Sequence, residues 1–244
     1  MRIVPIIQCR MESTRLPGKA MLSLAGKPAL QRVIERVRNS FWCLNPIVAT
    51  YLSEKNIELI PVAHEAGAGI YLFDGDPDNV LERIYRCAKE YGIDVIVEIT
   101  ADCPLIDPDI MDDVIERFIS DKAVDYASNV GIRSFPDGLD VQVYSFTALD
   151  QIRNKILNPI HVGWNIMQDS SFRCANIEAK GELKWPDLRI TLDTPEDYAL
   201  IDIIWHHFRS TPGFTALDVV RFLKAHPNLL ELNRSVKTKA PEEG

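Results

Sequence analysis

The sequence predicts an α/β domain built on a mostly parallel sheet with crossover helices. Short apolar runs alternate with helix-period segments over the first 120 residues, the pattern of strand–helix–strand units. No repeat, low-complexity block or linker divides the 244 residues, and 46% hydrophobic with 25% charged residues is the balance of a folded chain with one sizeable core. We therefore place one domain over 1–236, with 130–185 as an inserted subregion and 237–244 as a polar tail.

Residues 2–8 read as a buried first strand, and 10–19, polar and ending in Pro17-Gly18-Lys19, as a loop. Gly26-Lys27-Pro28 is a turn that puts Pro28 at the first position of a helix to about Asn39, with Leu30, Val33, Ile34 and Val37 inward. A second strand follows at 46–50, and Pro61 delays the next helix until its own position. Residues 70–73 form a strand, 74–78 a loop, and a helix runs to Tyr91; 94–100 is another strand, and Asp107-Pro108 opens a well-capped helix. Strands at 124–129 and 139–145 flank a turn at 135–138, helices cover 146–155 and 160–168, and later strands lie at 173–178 and 188–193. Helices from Thr194 to Phe208 and from Thr215 to Ala225 complete the reading.

Composition narrows the function. No apolar run approaches the roughly 18 residues of a membrane span, and the apolar stretch at the N-terminus is too short for a signal peptide. Five cysteines without a CxxC pair fit a reducing cytoplasm, and the five histidines lack zinc spacing. A net charge of −8 argues against nucleic acid, yet residues 1–40 hold eight basic residues against Glu12 and Glu35. Such a segment suits a small polyanion in a pocket; Arg32, Arg36 and Arg38 are read apart from it, as solvating one helix face.

In an open parallel sheet, ligands bind beyond the carboxyl ends of the strands. Four polar segments converge there: 9–19, 74–83, 100–104 and 191–197. The loop 10–19 offers Arg10, Ser13, Arg15 and Lys19 beside Gly18, cations and amides that can cradle phosphates, without the Walker A pattern. Asp102 and Asp193 each follow an apolar strand and can share a hard cation such as Mg²⁺; capping or turn roles are the alternative, equally natural for Asp193 ahead of Thr194-Pro195. Asp74-Gly75-Asp76 formally matches an acidic metal motif of glycosyltransferases, and a turn accounts for it as well. Cys103 is read as a small packing residue.

The run Gln8-Cys-Arg-Met-Glu-Ser-Thr-Arg-Leu-Pro-Gly-Lys19 resembles the N-terminal signature of the CMP-sugar synthetases, cytidylyltransferases that include the CMP-Kdo and CMP-acylneuraminate enzymes. Gly26–Pro28, Gly75–Arg83, Ala101–Pro108, Phe135–Asp140 and Leu192–Asp197 match in order, covering about 1–200. The resemblance, nearest to the spore-coat polysaccharide branch, implies a Rossmann-like mostly parallel sheet flanked by helices. It implies attack of an acceptor hydroxyl on the α-phosphorus of CTP. Carried over position by position, Arg10, Ser13, Arg15 and Lys19 hold the triphosphate, and Arg83, Thr100 and Ala101 the cytosine. Asp102 and Asp193 hold Mg²⁺; Phe135, Asp137 and Asp140 hold a small sugar-like acceptor. Arg15, Lys19 and Asp102 are then the catalytic set. The resemblance also implies a homodimer through 130–185. Glu12, where relatives usually carry Gly, repels a triphosphate unless it points away or binds metal. A nucleotide-sugar glycosyltransferase and a non-catalytic nucleotide-binding protein are the competing readings.

Overall fold

Strand β1 (Ile3–Gln8) is buried on both faces, with Val4 and Ile6 in one apolar cluster and Ile7 in another, which only a central strand between two helix layers can achieve. The computed structural model describes residues 1–42, 45–155 and 159–237. After β1 the chain forms a loop, a single 3₁₀ turn at Lys19–Met21 and a two-strand hairpin, β2 (Ser23–Leu24) and β3 (Lys27–Pro28). Helix α1 (Ala29–Val37) follows, so Pro28 sits just outside the helix rather than at its first position. Strand β4 (Ile47–Tyr51) pairs parallel with β1.

Helix α2 (Leu59–Glu65) starts before Pro61, contrary to the sequence reading. A proline in the first turn removes only an N–H that has no helical partner, so the helix tolerates it. Strand β5 (Gly69–Phe73), helix α3 (Val80–Glu90), strand β6 (Val95–Thr100) and helix α4 (Pro108–Ile119) then follow as expected, α4 capped by the Asp107 side chain. Residues 130–185, with β7 (Tyr126–Ser128) just ahead of them, contribute β8 (Gln142–Ser145), α5 (Phe146–Arg153), α6 (Val162–Gln168) and β9 (Cys174–Asn176).

Among the described residues the strands make one seven-stranded sheet in the order β5-β4-β1-β6-β8-β7-β9, plus the small hairpin. The sheet is parallel except at β8, which runs antiparallel to both neighbours. This is the Rossmann-like, helix-flanked sheet the sequence predicts. The side chains of α3, α5 and α6 fill one face, while α1, α2, α4, α7 (Pro195–His207) and α8 (Ala216–Ala225) cover the other. The strand order reverses between β1 and β6, so the crevice for ligands opens beyond Gln8 and Thr100.

Two expectations fail for physical reasons. Residues 188–193 form no strand of the sheet; Arg189 makes a single bridge to Asp137, and Ile190 N–H donates to Asp137 O at 2.8 Å. The arginines of α1 do not solvate its face either. Arg32 donates to the carbonyls of Leu24 and Ala25 and lies 4.2 Å from the Trp205 ring centre; Arg36 donates to those of Ile106 and Phe214. A guanidinium carries five donors in a planar fork, so it can close loop carbonyls that the helices leave open. Burial holds the Arg36 guanidinium down at about 10.

Gly138 (φ +112°) lets the turn 135–138 lie against 189–191: an added Cβ would stand 2.6 Å from the Ile190 carbonyl group. Gly138→Ala therefore costs roughly 2 kcal/mol or more from backbone strain alone. Thermal unfolding reads this as a lowered midpoint; an unchanged midpoint contradicts the tight packing of this turn.

Candidate active site

The loop after β1 is pinned from behind. Cys9 N–H donates to Ala49 O (3.2 Å), Met11 N–H to the side-chain oxygen of fully buried Asn56 (2.9 Å), and Gly18 N–H closes back on Met11 O (2.8 Å). Gly18 takes the left-handed conformation (φ +72°), which turns the chain so that Lys19 points into the crevice. Glu12 faces the other way: it accepts from Ser53 Oγ at 3.4 Å and does not line the cavity. Its carboxylate is thus directed away from the ligand space.

A cavity of about 640 Å³ opens over the strand ends. Arg10, Ser13, Arg15, Lys19, Arg83, Thr100, Ala101, Asp102, Asp137, Asp140 and Asp193 all line it. Phe135 does not; it is buried in the core cluster beside the crevice, because the turn at 135–138 presents its polar residues outward and its ring inward. Asp74 and Asp76 do not line it either. Asp74 pairs with Arg86 and Asp76 accepts from Asp78 N–H, which makes the acidic triplet a turn ahead of α3.

At the mouth, one ammonium joins distant parts of the chain. Lys19 Nζ lies 2.8 Å from Asp102 Oδ2 and 2.7 Å from Asp193 Oδ1, and Arg15 reaches Asp193 Oδ2 at 2.9 Å. The segment carrying Asp193 is brought there by backbone: Leu192 N–H and Thr191 Oγ1 both donate to Asp102 O, at 2.8 and 3.1 Å. Burial opposes the charge on Lys19, but the two carboxylates more than offset it and hold its pKa above the ordinary lysine value. Burial likewise works to raise the Asp102 carboxyl, yet Lys19 and the Thr100 hydroxyl bring it down to about 2. Asp102 and Asp193 therefore already converge on one cation-sized point, which is the donor set two carboxylates offer a hard metal ion. Among the described residues no group of three or more His, Cys, Asp and Glu could hold a metal.

Other pairs arm the walls. Arg10 meets Asp78 at 2.8 Å, and Arg133 grips Asp140 through two hydrogen bonds at 3.1 and 2.9 Å. Arg189 bridges Asp137 (3.0 Å), Asp193 (3.1 Å) and the fully buried Asp197 (2.9 Å). Asp197 also completes a capping box with Thr194, so the cap expected at this helix start falls to Thr194 and leaves the Asp193 carboxylate to the cavity. Arg83 is buried and donates to Gln8 Oε1 (3.1 Å) and Pro77 O (3.0 Å); burial first, then Arg10, holds it down at about 10. The Gln8 amide nitrogen is buried without a partner among the described residues. Burial and Asp102 push the Cys103 thiol well above its usual value, in keeping with a packing role.

The sequence reading assigned no role to Gln8, Glu98, Arg133 or Arg189, all of which line the cavity. The signal was present for two of them: Glu98 and Arg189 are charges inside apolar runs, where a buried charge needs a partner or a purpose. No helix among the described residues is long and apolar enough to cross a membrane.

A family model described as "Cytidylyltransferase" matches residues 4–153. The chain is 31% identical over 235 residues to the spore coat polysaccharide biosynthesis protein SpsF of Bacillus subtilis (strain 168), spanning 93% of this chain and 95% of that protein. It is 36% identical over 119 residues to a 3-deoxy-manno-octulosonate cytidylyltransferase of Trichlorobacter lovleyi, 49% of this chain and 46% of that one. A solved structure of a cytidylyltransferase from Leptospira borgpetersenii serovar Hardjo-bovis superimposes with a TM-score of 0.86 at 25% identity, covering 98% of this chain and 99% of the other. With a family model over more than half of its residues and a relative 31% identical over 93% of it, the chain belongs to the cytidylyltransferase family of nucleotidyltransferases.

Proposed function

We propose that this enzyme transfers CMP from CTP to a hydroxyl of a sugar, sugar acid or related small acceptor, with Mg²⁺, in surface polysaccharide or glycan biosynthesis. The relatives named for spore coat polysaccharide and for 3-deoxy-manno-octulosonate support the substrate class. The observation that carries the chemistry is the meeting of Lys19, Asp102 and Asp193 at one point. In the reaction the acceptor oxygen bonds to the α-phosphorus, the bond to pyrophosphate breaks, and the hydroxyl proton leaves to solvent or a nearby carboxylate.

Arg10, Ser13, Arg15 and Lys19, with the amides of the loop, would hold the triphosphate in line for attack; positioning and charge offset supply the rate without a covalent nucleophile. Gln8, Arg83, Thr100 and Ala101 would form the cytosine end, where the unpartnered Gln8 amide offers a donor to the base. Asp137 and Asp140 would face the acceptor, each already steadied by an arginine. A bound Mg²⁺ would supply charge offset at the phosphates, held by Asp102 and Asp193; two carboxylates plus phosphate oxygens and waters is a usual set for this ion. We infer that Lys19 stands in for that ion in the free enzyme and turns to the triphosphate when the metal–nucleotide complex arrives. A homodimer through 130–185 is the assembly we propose, supported by the sheet edge at β9 and by the exposed Ile132 beside it. Four free cysteines among the described residues support a cytoplasmic setting.

The glycosyltransferase reading loses its motif, because Asp74 and Asp76 lie off the cavity. The non-catalytic reading, which rests on Glu12 and Ala101, loses the first of these with Glu12 turned away.

CTP with Mg²⁺ is expected to raise the melting midpoint more than ATP, GTP or UTP do; an equal response to all four removes cytosine selectivity. Asp102→Asn keeps the fold and lowers CMP transfer by roughly 10²-fold or more; undiminished transfer refutes the metal assignment. Lys19→Met leaves two carboxylates facing one another and costs roughly 3 kcal/mol in metal-free buffer. Mg²⁺ alone then restores stability to the variant while barely moving the wild type; an equal Mg²⁺ response in both disproves the stand-in role.

A further inference from the structure

Glu98 is a carboxyl that the proposed reaction does not use. It lies in β6, two residues and about 7 Å before Thr100, is 5% exposed, and lines the floor of the cavity. One oxygen, Oε2, accepts from the hydroxyl of fully buried Tyr144 at 2.7 Å. The other has no hydrogen-bond partner among the described residues. Beside it on β8, Gln142 accepts from Tyr126 at 2.8 Å. The first turn of α6 comes down so closely here that a Cβ at Gly163 would collide with the Gln142 amide. His161, Trp164 and Met167 close this lobe.

That second oxygen is open to the cavity and not sealed in the core, so it can take a donor from a ligand. The triphosphate cannot provide it: phosphates only accept, and their charge is repelled by a carboxylate. The cations that suit phosphate stand at the other end, around Lys19, on the loop after β1. With the phosphates at those cations and the base at Gln8, Arg83, Thr100 and Ala101 as proposed, the lobe over β8 and α6, closed by His161, Trp164 and Met167, is left for the acceptor.

We propose that Glu98 is a specificity-determining residue of the acceptor lobe, taking a hydrogen-bond-donating group, hydroxyl or amine, and disfavouring a carboxylate there. This rests on the CMP-transfer reading above. Three elements face Glu98: α3 with Arg83, β8 with Tyr144 and Gln142, and β7 with Tyr126; His161 borders the same lobe. Burial pushes the Glu98 carboxyl up to about 7, with Tyr144 and then Arg83 opposing. Its raised pKa means that the folded protein holds a proton which the unfolded chain has lost from about pH 4.5 upward. Stability from this group is therefore present below that range and is lost as pH rises through 7. The ionised form, dominant at pH 8, rejects an acidic group; the neutral form at pH 6 can donate to one.

The test uses D-glucose, D-glucosamine and D-glucuronate as probes, titrated by NMR into the full chain with Mg²⁺ and CTP, and into Glu98→Gln, whose fold is checked by its melting midpoint. In the wild type at pH 8 the neutral or amino sugar binds roughly tenfold or more tightly than the uronate. That gap narrows at pH 6, and in Glu98→Gln both the gap and its pH dependence vanish. Glucose against glucosamine tells hydroxyl from amine. Equal or tighter uronate binding at pH 8, or the same behaviour in both proteins, absence of binding included, overturns the inference. CTP binding to the same wild-type sample separates the failures: if CTP does not bind, the CMP-transfer reading falls, whereas CTP binding without a donor preference sinks only the role of Glu98.

Discussion

Everything at the crevice depends on one ammonium held between two carboxylates that lie 91 residues apart in the chain. Lys19 comes from the loop after the first strand, Asp102 from just beyond β6, and Asp193 from the extended run ahead of α7. Burial works against the charges of Lys19 and Asp102, and their pairing more than offsets it. The same triad fixes the loop against the sheet, so the geometry that would receive a metal–nucleotide complex is also a structural tie in the free protein.

That tie is reinforced by hydrogen bonds to backbone carbonyls beside it. The Asp102 carbonyl receives both Leu192 N–H and Thr191 Oγ1, and the Asp137 backbone pairs with Leu188 and Ile190. Arg189 then gathers Asp137, Asp193 and Asp197, and Asp197 in turn caps α7 and accepts from Asn233 near the end of the described chain. A helix start, a turn and a cavity wall thus share one buried network, and such networks hold their members to one geometry because a partly satisfied network is costly. This places the two carboxylates on rigid supports although both lie outside regular strands.

Much of this was legible in the sequence where local chemistry is strong. The alternation of apolar runs and helix-period segments gave strands and helices near their observed positions, and the Gln8–Lys19 run marked the loop that lines the cavity. What stayed hidden depends on long-range partners. Arg32 and Arg36 look like surface residues by periodicity, and only the fold shows carbonyls of Leu24, Ile106 and Phe214 waiting for them. Phe135 sits inside a matching motif, but the turn rotates its ring into the core while Asp137 faces the cavity. The run 188–193 has strand composition, yet β1, β6 and β8 already fill one another's hydrogen bonds, so it bridges a loop instead.

The charge of the cavity bears on how a polyanion would be held. Six cations line it, Arg10, Arg15, Lys19, Arg83, Arg133 and Arg189, against the carboxyls of Glu98, Asp102, Asp137, Asp140 and Asp193. Most of those cations are already engaged by carboxylates, so an arriving triphosphate would gain only the difference between its own contacts and the pairs it opens. In the proposed reading Asp102 and Asp193 would hold a divalent ion, which would offset their charge and leave Lys19 free to face phosphate. Arg83 departs from the pattern: it donates to the neutral oxygens of Gln8 and Pro77, so no ion pair of its own needs to be opened first. On the proposed assignment the base end would be preformed, while the phosphate end would have to exchange its ion pairs for the ligand.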